Sequence, residues 1–213
     1  LGISMIITPG LVSGGRPTVG LQAYPLPFGQ WAEFFTQGQA LTETGIRQVP
    51  SSCWPVALKC RSRMHYYLAD QIADKRFPGS RAILLDQDEW VAEASTANIV
   101  IYNEGAGILS PPPERILPGV SLSVLSELAA ELEIPFQYRD LRLEDLGTAD
   151  EVLLCSTTPC LWPVTRLDGR PIGRGPEGAV FQKLLAAWSE SVGLDIAAQA
   201  QLFSHRLSAT EYR

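Results

Sequence analysis

Trp90-Val91-Ala92-Glu93-Ala94-Ser95-Thr96-Ala97-Asn98-Ile99-Val100-Ile101 is apolar or small almost throughout, and Glu93 is its single charge. The run RAILLD (81–86) precedes it and GILS (107–110) follows. The breaks between them, Gln87-Asp88 and Asn103–Gly107, carry turn chemistry. Short β-rich runs at this spacing predict an antiparallel β-meander. Strand alternation places Val91, Glu93 and Ser95 on one face. A carboxylate is rarely buried alone. Glu93 therefore either faces solvent or meets a cationic or proton-donating partner.

Working outward, Ser62 to Arg76 has helical spacing, with Met64, Tyr67, Leu68 and Ile72 on one face and Pro78-Gly79 as the stop. Downstream the same logic repeats. Leu122, Leu125, Leu128, Ala129 and Leu132 make a helix stripe, and FQYRDL (136–141) and EVLLCS (151–156) read as strands. The segment LWPVTRLDGRPIG (161–173) is a hairpin turning at Asp168-Gly169. A helix over Val180–Val192 presents Val180, Leu184, Leu185 and Trp188. Upstream lie two strand-like runs, Ile3–Thr8 and Leu21–Leu26, with a Gly/Pro loop between them. Residues 30–50 are polar and weakly periodic, and no element is expected there. The fold class is α+β, antiparallel meanders flanked by helices. The chain opens on a strand without an initiator Met, so an upstream segment is expected.

The formal charge of −6 argues against nucleic-acid and anionic-membrane partners. No apolar stretch reaches the roughly 18 residues that span a bilayer, and the first residues lack a signal-peptide pattern. The four cysteines form no C-x-x-C pair, so a metal site is not expected and a reducing, cytoplasmic setting is. Neither a Walker A nor a G-x-G-x-x-G signature is present.

Four features remain that suit chemistry, each with a plainer alternative. Lys59 ends the apolar run Trp54–Leu58, where a desolvated amine becomes a usable nucleophile; otherwise it snorkels to solvent. Glu93 is the second. Leu117-Pro118-Gly119-Val120-Ser121 opens a helix whose free N–H groups suit a phosphate, although most such turns bind nothing. Ser156-Thr157-Thr158 clusters hydroxyls after a strand, either for an anion or for local backbone.

In order, these features resemble the class IV aminotransferases, which include branched-chain and D-amino acid aminotransferases and aminodeoxychorismate lyase. The resemblance rests on Lys59, Leu85-Asp86, Val91-Ala92-Glu93, Asn98-Ile99-Val100, Leu117-Pro118-Gly119, Ala149-Asp150-Glu151-Val152, Ser156-Thr157-Thr158 and Pro163–Gly169. It runs from about residue 1 to 192. It implies the fold type IV architecture, an antiparallel pseudo-barrel flanked by helices. Residues 1–50 would be the remnant of a small N-terminal domain and the interdomain region, and 51–213 the large cofactor domain.

The resemblance further implies pyridoxal 5'-phosphate, held by Lys59 as an internal aldimine. Glu93 would pair with the pyridine nitrogen. Val120, Ser121 and Thr157 would hold the phosphate, Thr157-Thr158 the substrate carboxylate, and Leu117 would pack on the ring. The implied activity is transamination between an amino acid and a 2-oxo acid, in a homodimer. Elimination to 4-aminobenzoate and a non-catalytic relative are the alternatives. Met64 stands where branched-chain enzymes usually carry tyrosine, and Pro159 where small residues are usual.

Overall fold

The computed structural model describes residues 1–10 and 15–205. The described residues divide into two compact units, those within 1–32 together with 197–205, and residues 33–196. In the first, strands β1 (Gly2–Thr8) and β2 (Thr18–Tyr24) form an antiparallel hairpin with Gly2 opposite Tyr24. Helix α1 (Phe28–Gln37) and strand β3 (Gln39–Arg47) follow.

These last two elements overturn the expectation that 30–50 carries no structure. In α1, Trp31, Phe34 and Phe35 have helical spacing and are buried. The polar residues between them hide the pattern. In β3 the buried side chains include Gln39, Thr42 and Thr44. Hydrogen bonds offset much of that burial: Thr42 Oγ1 lies 2.7 Å from Ser80 Oγ, Ile46 N–H donates to Thr44 Oγ1 at 3.4 Å, and Gln39 Nε2 donates to the Gly79 carbonyl at 2.9 Å, while Gln39 Oε1 has no partner among the described residues.

Helix α2 (Met64–Arg76) starts two residues later than the spacing predicts. Its face is also different. Ala69 and Ala73 are buried, whereas Met64, Tyr67 and Leu68 are exposed. Small alanines let the helix approach the sheet closely, and Tyr66 packs with Ala69, Ala73, Ala82 and Leu84.

The remaining elements are β4 (Arg81–Leu85), β5 (Val91–Ala94), β6 (Asn98–Asn103), β7 (Gly107–Ser110), α3 (Val120–Glu131), β8 (Phe136–Tyr138), α4 (Leu143–Thr148), β9 (Glu151–Ser156), β10 (Cys160–Leu167), β11 (Arg170–Pro171), α5 (Ala179–Val192) and α6 (Ile196–Leu202). The large sheet runs β5-β4-β3-β10-β9-β6-β7-β8, with β11 on β10. The segment 81–110 is therefore not one continuous meander. It is two hairpins, β4–β5 and β6–β7, separated in the sheet by β3, β10 and β9. Parallel pairings β3–β4, β3–β10 and β7–β8 complete the sheet. A bridge from Ala94 to Ala97 draws the first strand toward the sixth and curls the sheet.

The expected helix stripes are in place. Leu122, Leu125, Leu128 and Ala129 of α3 are buried, as are Val180, Phe181, Leu184, Leu185 and Trp188 of α5. Glu151 opens β9 and caps α5, accepting from Val180 N–H at 2.9 Å and Phe181 N–H at 2.8 Å. A carboxylate there meets two orphan donors and the positive end of the helix dipole. The turn at Asp168-Gly169 has positive φ at both residues, 49° and 76°, which the hairpin requires.

Candidate active site

Glu93 sits opposite Leu84 in the β4–β5 pair and is 4% exposed. Its neighbours Val91, Ala92, Ala94 and Ser95 are buried too, so neither face of β5 looks onto solvent. Burial pushes its carboxyl above the ordinary carboxylate value. Opposing this, the Tyr66 hydroxyl and the Gln48 side-chain amide both donate to Glu93 Oε1, and the Leu117 backbone supplies a further hydrogen bond.

The Gln48 amide has a determined orientation. Val49 N–H donates to Gln48 Oε1 at 3.0 Å, and His65 Nε2 lies 2.9 Å from the same oxygen. Its amino group therefore points to Glu93 and, at 3.2 Å, to the Tyr66 oxygen. Burial, then the Glu93 charge, push the Tyr66 hydroxyl well above its ordinary value. Burial pushes the His65 imidazole down.

After β5 the chain reverses at Ser95-Thr96-Ala97. Ala94 N–H donates to Ala97 O at 3.0 Å and Ala97 N–H to Ala94 O at 3.1 Å. Thr96 has φ of 63°, a left-handed conformation that a β-branched residue resists. The turn is pinned from outside. Arg81 Nη1 donates to Ser95 O at 2.7 Å and to Thr96 Oγ1 at 3.1 Å, and Ser95 Oγ donates to Asp70 Oδ1 at 2.6 Å. The Arg81 guanidinium lies against the rings of Phe34 and Trp162. Burial lowers its pKa, and Asp70 opposes that.

The turn delivers Asn98 to the start of β6, where its Nδ2 donates to Leu117 O at 2.9 Å. Asn98 also pairs with Cys155 of β9, next to the Ser156–Thr158 turn. Glu93, Leu117-Gly119, the α3 N-terminus and the hydroxyl turn are thereby brought to one end of the sheet. Gly119 is the N-cap of α3 and offers no side-chain cap. Leu122 and Ser123 N–H return to Gly119 O at 3.1 Å, so the helix itself supplies no acceptor for Val120 and Ser121 N–H. A Cβ on Gly119 would collide with Asn98 Oδ1. Ser121 is buried; Val120, Thr157 and Thr158 are exposed.

Lys59 is placed differently from its local reading. It lies in the segment before α2, exposed, and Leu58 beside it is 54% exposed. The apolar run ending at Lys59 is thus not a buried wall around the amine. No hydrogen bond or ion pair joins it to Glu93 among the described residues.

Gln48, His65, Tyr66, Asp70 and Arg81 were not singled out from sequence. Tyr66 was within reach, since it precedes Ala69 and Ala73 by three and seven residues and so shares their face. The cleft bounded by Thr36, Thr165 and residues 171–177, about 310 Å³, is lined by none of these residues.

A family model described as amino-transferase class IV matches residues 13–167. The chain is 38% identical over 104 residues to a probable branched-chain-amino-acid aminotransferase of Aquifex aeolicus, covering 48% of this chain and 33% of that one. It is 29% identical over 154 residues to a D-alanine aminotransferase of Listeria innocua, covering 71% and 50%. In fold it is similar to an aminotransferase from Brucella abortus bound to the co-factor PLP, with TM-score 0.70, 22% identity, and 86% and 62% of the two chains covered. The chain thus spans a third to a half of the length of these curated relatives.

Proposed function

This chain belongs to the class IV aminotransferase family, and from that premise we propose that it takes part in pyridoxal 5'-phosphate-dependent transamination between an amino acid and a 2-oxo acid. The observation that carries the reading is Glu93, a buried carboxylate supplied with neutral hydrogen-bond donors at the end of the sheet where a helix presents uncapped N–H groups.

The residues present fit the cofactor. A buried carboxylate suits a ring N–H that must stay protonated. The Val120 and Ser121 N–H groups, with Gly119 kept free of a side chain by Asn98, suit a phosphate. Thr157 adds a hydroxyl at the same end, and the Thr157-Thr158 backbone suits the substrate carboxylate. Leu117, half-buried, offers an apolar surface to the ring. When bound, pyridoxal 5'-phosphate supplies an electrophilic carbon for the amino group and a ring that takes up the electron pair left at the substrate Cα. In this reading Lys59 Nζ is the covalent attachment point and, once free, moves the proton from Cα. Its exposure leaves the amine accessible for both tasks.

The relatives named above give no support to the elimination alternative. Among the described residues no helix is long and apolar enough to cross a membrane. The exposed Leu58, Met64, Tyr67 and Leu68 support a homodimer contact as part of the same proposal.

Borohydride reduction of the protein with added pyridoxal phosphate, followed by peptide mapping, tests the reading. A stable adduct on Lys59, absent from Lys59→Ala, is expected. An adduct elsewhere, or none, overturns it.

A further inference from the structure

We propose that Tyr66 and Gln48 are positioning residues that keep the Glu93 carboxylate ionised and fixed in orientation, an inference that rests on Glu93 being the partner of the cofactor ring nitrogen. The geometry is a closed triangle. Tyr66 O–H and the Gln48 side-chain amide both donate to Glu93 Oε1, and the same Gln48 Nε2 lies 3.2 Å from the Tyr66 oxygen. Each corner is held from behind. Tyr66 packs on Ala69, Ala73, Ala82 and Leu84, while Val49 N–H and His65 hold the carbonyl end of Gln48.

With two donors on Oε1, the ionised form satisfies every hydrogen. A protonated carboxyl, with its hydrogen on Oε2, still offers Oε1 to both donors but as a neutral and weaker acceptor, so the two donors favour the ionised form. No ion pair reaches Glu93 among the described residues, so neutral donors are what offset its burial. The groups around it are Tyr66, with His65 and Arg63 beside that ring, Gln48 after β3, and the Leu117 backbone before α3. Arg63 acts on Tyr66 by charge alone. A ring N–H that stays protonated needs an ionised partner, so these two side chains govern whether Glu93 can perform its role.

The test is the Glu93 titration midpoint in the full chain without cofactor, read from carboxyl carbon-13 shifts of glutamate-labelled protein and assigned by subtracting the Glu93→Gln spectrum. Tyr66→Phe is expected to raise the midpoint by about one pH unit or more. Gln48→Leu should move it the same way. A Tyr66→Phe protein with wild-type circular dichroism and an unmoved midpoint overturns the proposal; should that variant fail to fold, Gln48→Leu decides by the same criterion. Absorbance with added pyridoxal phosphate separates the two readings. If the midpoint moves but no cofactor band forms, the positioning role stands and the cofactor reading falls.

Discussion

Asn98 Nδ2 holds the Leu117 carbonyl at 2.9 Å while its Oδ1 occupies the space that a side chain at residue 119 would need. One amide thus fixes the turn before α3 and requires glycine at its N-cap. Gly119→Ala should lose about 1–3 kcal/mol of stability, the usual cost of forcing atoms into a packed site. It should also weaken pyridoxal phosphate binding, because the α3 N–H groups move with the turn. Urea midpoints and a cofactor titration measure the two effects. Unchanged binding in a destabilised variant would remove the turn from the phosphate site.

Glu151 offers a purely structural test. Glu151→Gln keeps one oxygen but removes the charge from the α5 N-terminus, with an expected loss of about 1–2 kcal/mol. The denaturation midpoint should fall with the slope unchanged. A loss below a few tenths of a kcal/mol would mean that α5 does not depend on this cap.

Thr96 should yield a gain. Asparagine tolerates its left-handed backbone far better than a β-branched residue and still offers Arg81 an oxygen. Thr96→Asn is expected to raise stability by about 1 kcal/mol, checked by thermal unfolding. A lower midpoint would show that the threonine side chain outweighs its backbone strain.

Glu93 makes stability depend on pH in a definite direction. Burial raises its carboxyl above the ordinary 4.5, so the folded chain binds that proton more tightly than the unfolded one. The stabilising contribution is fully present below the unfolded value and is lost as pH rises through the folded value. Without cofactor, Glu93→Gln should therefore be more stable than wild type at about pH 7, with the difference closing near pH 4. Urea unfolding at both values decides. An equal gain at both would mean that the carboxyl titrates alike in the folded and unfolded chains.

How much of this was legible depended on what each element buries. Helices α3 and α5 and strands β4 and β9 bury large apolar side chains at regular spacing, and the sequence pattern shows it. Strand β3 buries Gln39, Thr42 and Thr44, which read as surface until their hydrogen-bond partners are known. Helix α2 buries Ala69 and Ala73 and exposes Met64, Tyr67 and Leu68, so its apolar spacing points to the wrong face. Within the site, Glu93 and the Leu117–Gly119 turn stood out because each interrupts a pattern. Gln48 and Tyr66 interrupt none. They reach Glu93 across 45 and 27 residues of chain, a relation that only the folded sheet reveals.

The four-residue reversal from Ala94 to Ala97 has a consequence for how this protein can change over time. Glu93 and Asn98 belong to hairpins set apart in the sheet, yet their spacing is fixed by five covalent links and not by the strand pairing between them. Insertions in the loops at 86–90 or 104–106 would alter either hairpin without changing the number of residues between these two side chains. The outer sheet is thus free to diverge while the pair keeps its geometry. A single residue gained or lost between 94 and 97 would uncouple them at once.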